Sequence, residues 1–208
     1  MFINKIGHEH KEYGINCQDY GWIYNNIKCV VDGCSAGLHS EVGAKLFCEL
    51  FKIENNIDNI FQKIFLTLDN SPENIKNYMC FTIIFVTEDE NNFIVKYCGD
   101  GYIIKQKHDN SIEFDKIDDG EYPKYYAYNY LDKKYLSHYQ NGVSFEQILF
   151  PKIEYKNIGV STDGLRFIFD KEFEQEFIKL LTLNKEMAIK RLINRENKYF
   201  KDDITIAF

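Results

Sequence analysis

Apolar residues along this chain follow two rhythms. Short apolar-rich runs bounded by Asp, Asn and Gly predict buried strands, and spacings of three and four predict helices. Ile27 to Val31 is such a run and stops at Asp32-Gly33. Phe81 to Val86 is another. Asn91-Asn92 turns it into Phe93 to Cys98, and Gly99-Asp100-Gly101 leads on to Tyr102 to Gln106, which predicts a local antiparallel meander. Asn157 to Ser161 ends at Thr162-Asp163-Gly164, and a last strand, Ile204 to Phe208, follows Asp202-Asp203. Helical spacing covers His39 to Phe51, with Ser40 as the expected N-cap and Val42, Leu46 and Leu50 on one face. It recurs over Asn56 to Leu68, Phe173 to Leu181 and Lys185 to Ile193. Asp118 to Asn141, rich in Tyr, Asp and Lys without clean period, is expected to be loop with short strands. Strands and helices come in blocks rather than in βαβ alternation, so the expectation is α+β: packed antiparallel sheets with helices outside.

Composition narrows this further. In 208 residues, 45% hydrophobic and 16% aromatic, there is ample material for a core, and one domain spanning 1–208 is expected. No apolar stretch approaches the ~20 residues of a membrane helix, and Met1 to Gly7 lacks the apolar core of a signal peptide. Acidic residues outnumber basic ones, 32 against 25, for a net charge of −7. That balance disfavours nucleic acid and anionic membranes as partners. Six cysteines without a C-x-x-C pair read as small buried thiols in a reducing cytoplasm.

The candidate chemistry lies in carboxylates at strand ends. Asp32 and Asp163 each close an apolar strand before a Gly; Asp100 stands between two glycines; Asp202-Asp203 precedes the last strand; Asp19 follows Gln18. Singly, each Asp-Gly is an ordinary turn. Gathered together, they would repel and require cations, and oxygen-only ligands suit Mg²⁺ or Mn²⁺ rather than Zn²⁺ or copper. Spacing alone does not bring them together.

Five short motifs, in order, carry a resemblance. They are Gly7-His8-Glu9-His10 with Gly14 and Cys17-Gln18-Asp19; Val30 to Gly37 with Ser40 to Ala44; Phe81-Thr82 with Cys98-Gly99-Asp100-Gly101; Ser161-Thr162-Asp163-Gly164-Leu165; and Asp202-Asp203-Ile204-Thr205. The series resembles the metal-dependent serine/threonine protein phosphatases of the 2C type, in their compact bacterial branch. The resemblance implies a four-layer α-β-β-α sandwich with two Mn²⁺ or Mg²⁺ ions at one end. It implies that Asp32 bridges both ions, that the Gly33 carbonyl completes one shell, that Asp19 is a ligand directly or through water, and that Asp163 and Asp202 hold the other ion. Asp100 matches a residue that helps to bind a third ion in some members. The implied reaction is hydrolysis of phosphoserine and phosphothreonine in proteins by a water shared between the ions, with Asp32 and Asp19 in the catalytic group. The implied partner is a phosphorylated protein, a Ser/Thr kinase or its target, and the expected state is a cytoplasmic monomer.

Departures from the pattern matter. Many members carry a phosphate-binding Arg where Gly14 stands. His10 either orients or protonates the phosphate instead, or is a structural histidine. Cys34 occupies the place of a general-acid His, and Asp203 that of an Asn. Arg166 either meets a phosphoprotein or is a solvated charge, and Trp22 with the tyrosines of 122–130 either faces substrate or packs on the sandwich. A pseudo-phosphatase that binds phosphoproteins or a kinase without turnover is the alternative function.

Overall fold

The computed structural model describes residues 1–118, 120 and 122–208. In chain order the strands are β1 (Phe2–Lys5), β2 (Asp19–Tyr24), β3 (Ile27–Gly33), β4 (Phe81–Glu88), β5 (Asn92–Cys98), β6 (Gly101–Lys107), β7 (Ile112–Ile117), β8 (Glu146–Pro151), β9 (Tyr155–Ser161) and β10 (Ile204–Ala207). The helices are α1 (His8–Tyr13), α2 (Ser40–Phe51), α3 (Ile57–Leu68), the single turn α4 (Pro72–Asn74), α5 (Glu174–Thr182) and α6 (Glu186–Arg195).

Two five-stranded antiparallel sheets result, one ordered β1-β10-β9-β6-β7 and the other β2-β3-β4-β5-β8. Side chains alternate across each strand, and the alternation sorts the core into three layers. Val30, Ile84 and Val86 point inward to meet Ile103, Val160 and Ala207 of the other sheet. Their neighbours Cys29, Val31, Ile83 and Phe85 point outward under α2 and α3. Ile3, Ile104, Ile204 and Ile206 face outward from the first sheet under α5 and α6. The expected α-β-β-α layering is therefore present. All six cysteines are free, and no helix among the described residues is long and apolar enough to cross a membrane.

Three expectations are corrected. The three-strand meander is broken: β5 pairs with β4 and β8, whereas β6 pairs with β7 and β9 in the opposite sheet. Gly99 (φ 110°) and Gly101 (φ 148°) make this crossing possible, because a Cβ at either would lie 2.5 Å from its neighbours, Thr82 and Ile84. Ser40 is not the cap of α2 but its first residue, fully buried, its hydroxyl donating to the Cys34 carbonyl at 2.9 Å. The buried face of α2 runs through Ala44, Phe47, Cys48 and Phe51, with Val42, Leu46 and Leu50 flanking it. The expected strands of 118–141 are absent among the described residues, which hold short 3₁₀ turns at Tyr126–Tyr130 and Lys133–Tyr135; positions 119 and 121 of that stretch lie outside the described residues. By contrast α3 begins as expected, with the Asn56 side chain accepting from the Asn59 N–H.

Candidate functional site

The strand ends that carry carboxylates meet at one end of the sandwich. Asp19 and Asp32 are direct cross-strand partners on β2 and β3, and Asp32 lies opposite Thr82 of β4. Like charges opposite each other destabilise a sheet, so this pair is there at a cost. Asp32 also meets Asp163, which opens the 3₁₀ turn after β9. A cavity of about 210 Å³ is lined by Asp32, Gly33, Asp100, Asp163 and Asp202, with Gln18, Cys34, Thr82 and Tyr125 around them. Gly33 fits because any Cβ there would sit 2.6 Å from the Ser40 hydroxyl and 3.0 Å from the Gln18 carbonyl.

Hydrogen bonds brace this end of the sheets, and those to Asp19 and Asp202 hold the carboxylates themselves. Thr162 donates to Asp19 Oδ2 at 2.6 Å, and its Oγ1 accepts from the Thr205 N–H at 2.9 Å, so β9 and β10 orient a β2 side chain. The Asp32 N–H donates to Thr82 Oγ1 at 3.3 Å. The Asp203 N–H donates to Asp202 Oδ1 at 2.9 Å.

The electrostatics match a place built for positive charge. Burial pushes the Asp19 carboxyl well above its usual range, with the charge of Asp203 next in weight. Asp32 is pushed up likewise, by burial and then by Asp19, Asp163 and Asp202. Burial raises Asp163 to about 6 against the pull of Arg166, and it also raises Asp100. Protons or cations must relieve this crowding. All-oxygen ligands of this kind fit hard divalent ions such as Mg²⁺ and Mn²⁺.

Two acidic neighbours play different parts. Asp202 lines the cavity. Asp203 turns away and is almost fully buried, its Oδ1 accepting from the Gly7 N–H at 2.7 Å and its Oδ2 from the Gln18 N–H at 2.6 Å. An Asn would direct an NH₂ at one of these two donors, which accounts for a carboxylate at this position. Asp203 thus ties the first motif to the last.

His10 does not line the carboxylate cavity itself. It borders the neighbouring depression with Gly14 and Gln18. Its Nε2 lies 3.6 Å from Asp202 Oδ1, and its Nδ1 lies 3.0 Å from Asp203 Oδ1 without an aligned hydrogen bond. The cause is the docking of α1, whose His8 and Glu9 N–H groups donate to the carbonyls of Phe200 and Lys201 and turn His10 toward 202–203. His10, Asp202 and Asp203 bring one ligand atom each within 4.8 Å of one another.

Trp22 is buried against Phe51 at 5.7 Å between ring centres, so it is core and not a substrate contact. Tyr126 and Tyr130 pack on Phe61, and the Tyr125 hydroxyl meets the Cys34 thiol at the cavity wall. Tyr122 and Tyr128 line a separate apolar depression of about 560 Å³ that adjoins the cavity at Pro123. Arg166 is neither free nor simply solvated: its guanidinium pairs with Asp163 and lies 3.6 Å from Asp202.

No protein-family profile matches the sequence, and no curated protein does. Solved structures do match. The chain aligns over its whole length, and over 94% of the partner, with the serine/threonine phosphatase Stp1 from Staphylococcus aureus (TM-score 0.63, 16% identity). The fold is that of the bacterial serine/threonine phosphatases. The Mycobacterium tuberculosis serine/threonine phosphatase PstP/Ppp aligns over 99% of this chain and 95% of its own (TM-score 0.61, 16% identity). The catalytic domain of PstP in complex with two manganese ions aligns over 99% and 94% (TM-score 0.60, 13% identity). The motif series read from the sequence and the fold thus point to the same phosphatases.

Proposed function

We propose that this chain is a metal-dependent phosphatase of phosphoserine and phosphothreonine in proteins, acting as one unit over 1–208. The carrying observation is the crowding of Asp19, Asp32 and Asp163, with Asp100 and Asp202, at one end of this fold. Asp32, Asp163, Asp202 and the Gly33 carbonyl would hold two Mn²⁺ or Mg²⁺ ions, Asp19 would hold one directly or through water, and Asp100 would face a third. Bound there, the ions supply a Lewis acid that activates water and offsets charge on the phosphoryl group.

The chain's own residues prepare that chemistry. Thr162 fixes the free oxygen of Asp19, so its carboxylate is oriented before any ion arrives. The fully buried interface between the sheets keeps β3, β9 and β10 in register, so the carboxylates are preorganised. Asp203 anchors Gly7 and Gln18 and so holds the first motif against the last strand. His10, 3.6 Å from Asp202, stands beside the carboxylates, where it would either orient Asp202 or meet the phosphate. Cys34 has no task as a nucleophile in this scheme.

The test is hydrolysis of a phosphothreonine peptide with Mn²⁺, with Mg²⁺ and with EDTA, beside an Asp32→Ala variant. Turnover that requires metal and vanishes in the variant is expected. Folded, Mn²⁺-loaded protein without turnover would overturn the enzyme reading in favour of a phosphoprotein- or kinase-binding module. Gly14, where many phosphatases carry a phosphate-binding Arg, is the residue that favours this second reading.

A further inference from the structure

A phosphate dianion entering a nest of carboxylates gains from a cationic contact supplied by the chain besides whatever ions the carboxylates hold. Gly14 cannot supply one: it closes α1 in the left-handed conformation (φ 69°), with nothing within 4 Å of where a side chain would begin. The depression beside it is bordered by His10, His39 and Glu41 and brings no Lys or Arg. Among the described residues, the cation ion-paired with the cavity's carboxylates is Arg166, whereas Lys116, also felt at Asp100, is paired with Asp118. Arg166 sits one 3₁₀ turn after Asp163, on the segment Asp163–Ile168 that follows β9. Its side chain is 47% exposed, its guanidinium pairs with Asp163 and lies 3.6 Å from Asp202, and its charge is felt at Asp100. These three carboxylates all line the cavity. The aliphatic stem does not wander, because the guanidinium lies over the Phe167 ring at 4.8 Å from its centre.

Resting on the phosphatase reading, we infer that Arg166 is the phosphate-binding cation of this site, taking the part that Gly14 leaves vacant. The chemistry suits the assignment. A guanidinium presents a planar fork of N–H donors that matches two oxygens of a phosphate, and it stays charged at every working pH. Carboxylates engaged by divalent ions have less charge to offer a guanidinium, and half of the Arg166 side chain already faces solvent at the rim where a phosphorylated side chain arrives. Arg166 therefore competes with cations for Asp163 and Asp202 in the metal-free protein and turns to phosphate in the loaded one.

The two roles separate in an Arg166→Gln variant, with Arg166→Lys as the conservative control. The probes are Mn²⁺ alone, by calorimetry, and inorganic phosphate binding to the Mn²⁺-loaded protein, with KM for p-nitrophenyl phosphate as a third readout. In Arg166→Gln the affinity for phosphate is expected to fall about tenfold or more, as for loss of a hydrogen bond to a charged group. KM should rise in parallel, Mn²⁺ should bind as tightly as in wild type or more tightly, and Arg166→Lys should recover part of the loss. Unchanged phosphate affinity in Arg166→Gln would overturn the inference. So would weakened Mn²⁺ binding with phosphate following it, since that would make Arg166 a positioning residue for Asp163. Phosphate binding is read without turnover, so a wild type that binds phosphate through Arg166 yet hydrolyses nothing would contradict the phosphatase reading and leave this one standing.

Discussion

The same strands build two regions of opposite character. Midway along, Val30 of β3, Ile84 of β4, Val160 of β9 and Ala207 of β10 close a fully buried interface between the sheets. A few residues away, at the end of the sandwich, β3 delivers Asp32, β9 leads into Asp163 and β10 starts after Asp202-Asp203. The first region lowers the free energy of the fold by itself, through apolar burial. The second raises it, through carboxylates pushed out of their usual range by burial and by each other. A fold keeps such a region only where the rest of the molecule holds it, which is why the site sits at the ends of well-packed strands rather than on a free loop.

The largest expected effect comes from breaking the packed region. Phe47 on α2 is fully buried against Phe51, Phe61 and Phe81. Phe47→Ala should cost about 3–5 kcal/mol by denaturant unfolding, equally with Mn²⁺ or with EDTA. An unequal cost would mean that this core and the acidic end are not separate in energy. Asp203→Asn comes next. It removes one of two acceptors for the Gly7 and Gln18 N–H groups and should cost about 1.5–3 kcal/mol. It should also weaken Mn²⁺ binding by loosening Asp19 and Asp202 together, which a calorimetric titration would read. Retained stability would mean that a neutral amide serves both donors.

The smallest effect sharpens the comparison through pH. In metal-free protein the Asp163 carboxyl is raised from 3.8 to about 6, first by burial. A raised carboxyl favours the fold while protonated, so its contribution is present below pH 3.8 and is lost as pH climbs through about 6. Asp163→Asn cannot ionise and escapes that loss. In EDTA, the stability of wild type relative to Asp163→Asn should therefore fall as pH rises across this window, and saturating Mn²⁺ should abolish the trend. A rising difference would mean that Arg166 already compensates Asp163.

Much of the acidic end was legible because its signal is local. An apolar run that stops at Asp-Gly says both where a strand ends and what stands there, and Asp32 and Asp163 are found there. What was not legible depended on partners distant in sequence. Tyr102 to Gln106 reads the same in either sheet, and only packing against β9 decides that β6 leaves its hairpin neighbour. The buried face of α2 is set by Phe61 and Phe81 across the interface, so Phe47 outweighs Leu46 although both fit a helical stripe. Asp203 resembled an extra charge at the metals until its two backbone donors, 185 and 196 residues away, were in view. Arg166 looked like surface for the same reason, since Asp202 reaches it only through the β9–β10 pairing.

The central claim is that the carboxylate end is a cation site held ready by the packed strands. The most direct test is to count Mn²⁺ bound per chain by calorimetry in wild type and in Asp32→Asn, with thermal melting of both in EDTA. Two ions are expected on wild type and a loss of affinity of at least about a hundredfold in the variant, since even partners behind a ligand cost 10–100-fold. Asp32→Asn should melt higher than wild type in EDTA, because one repelling charge is gone. Wild type that binds no Mn²⁺, or a variant that binds it equally well, would contradict the account.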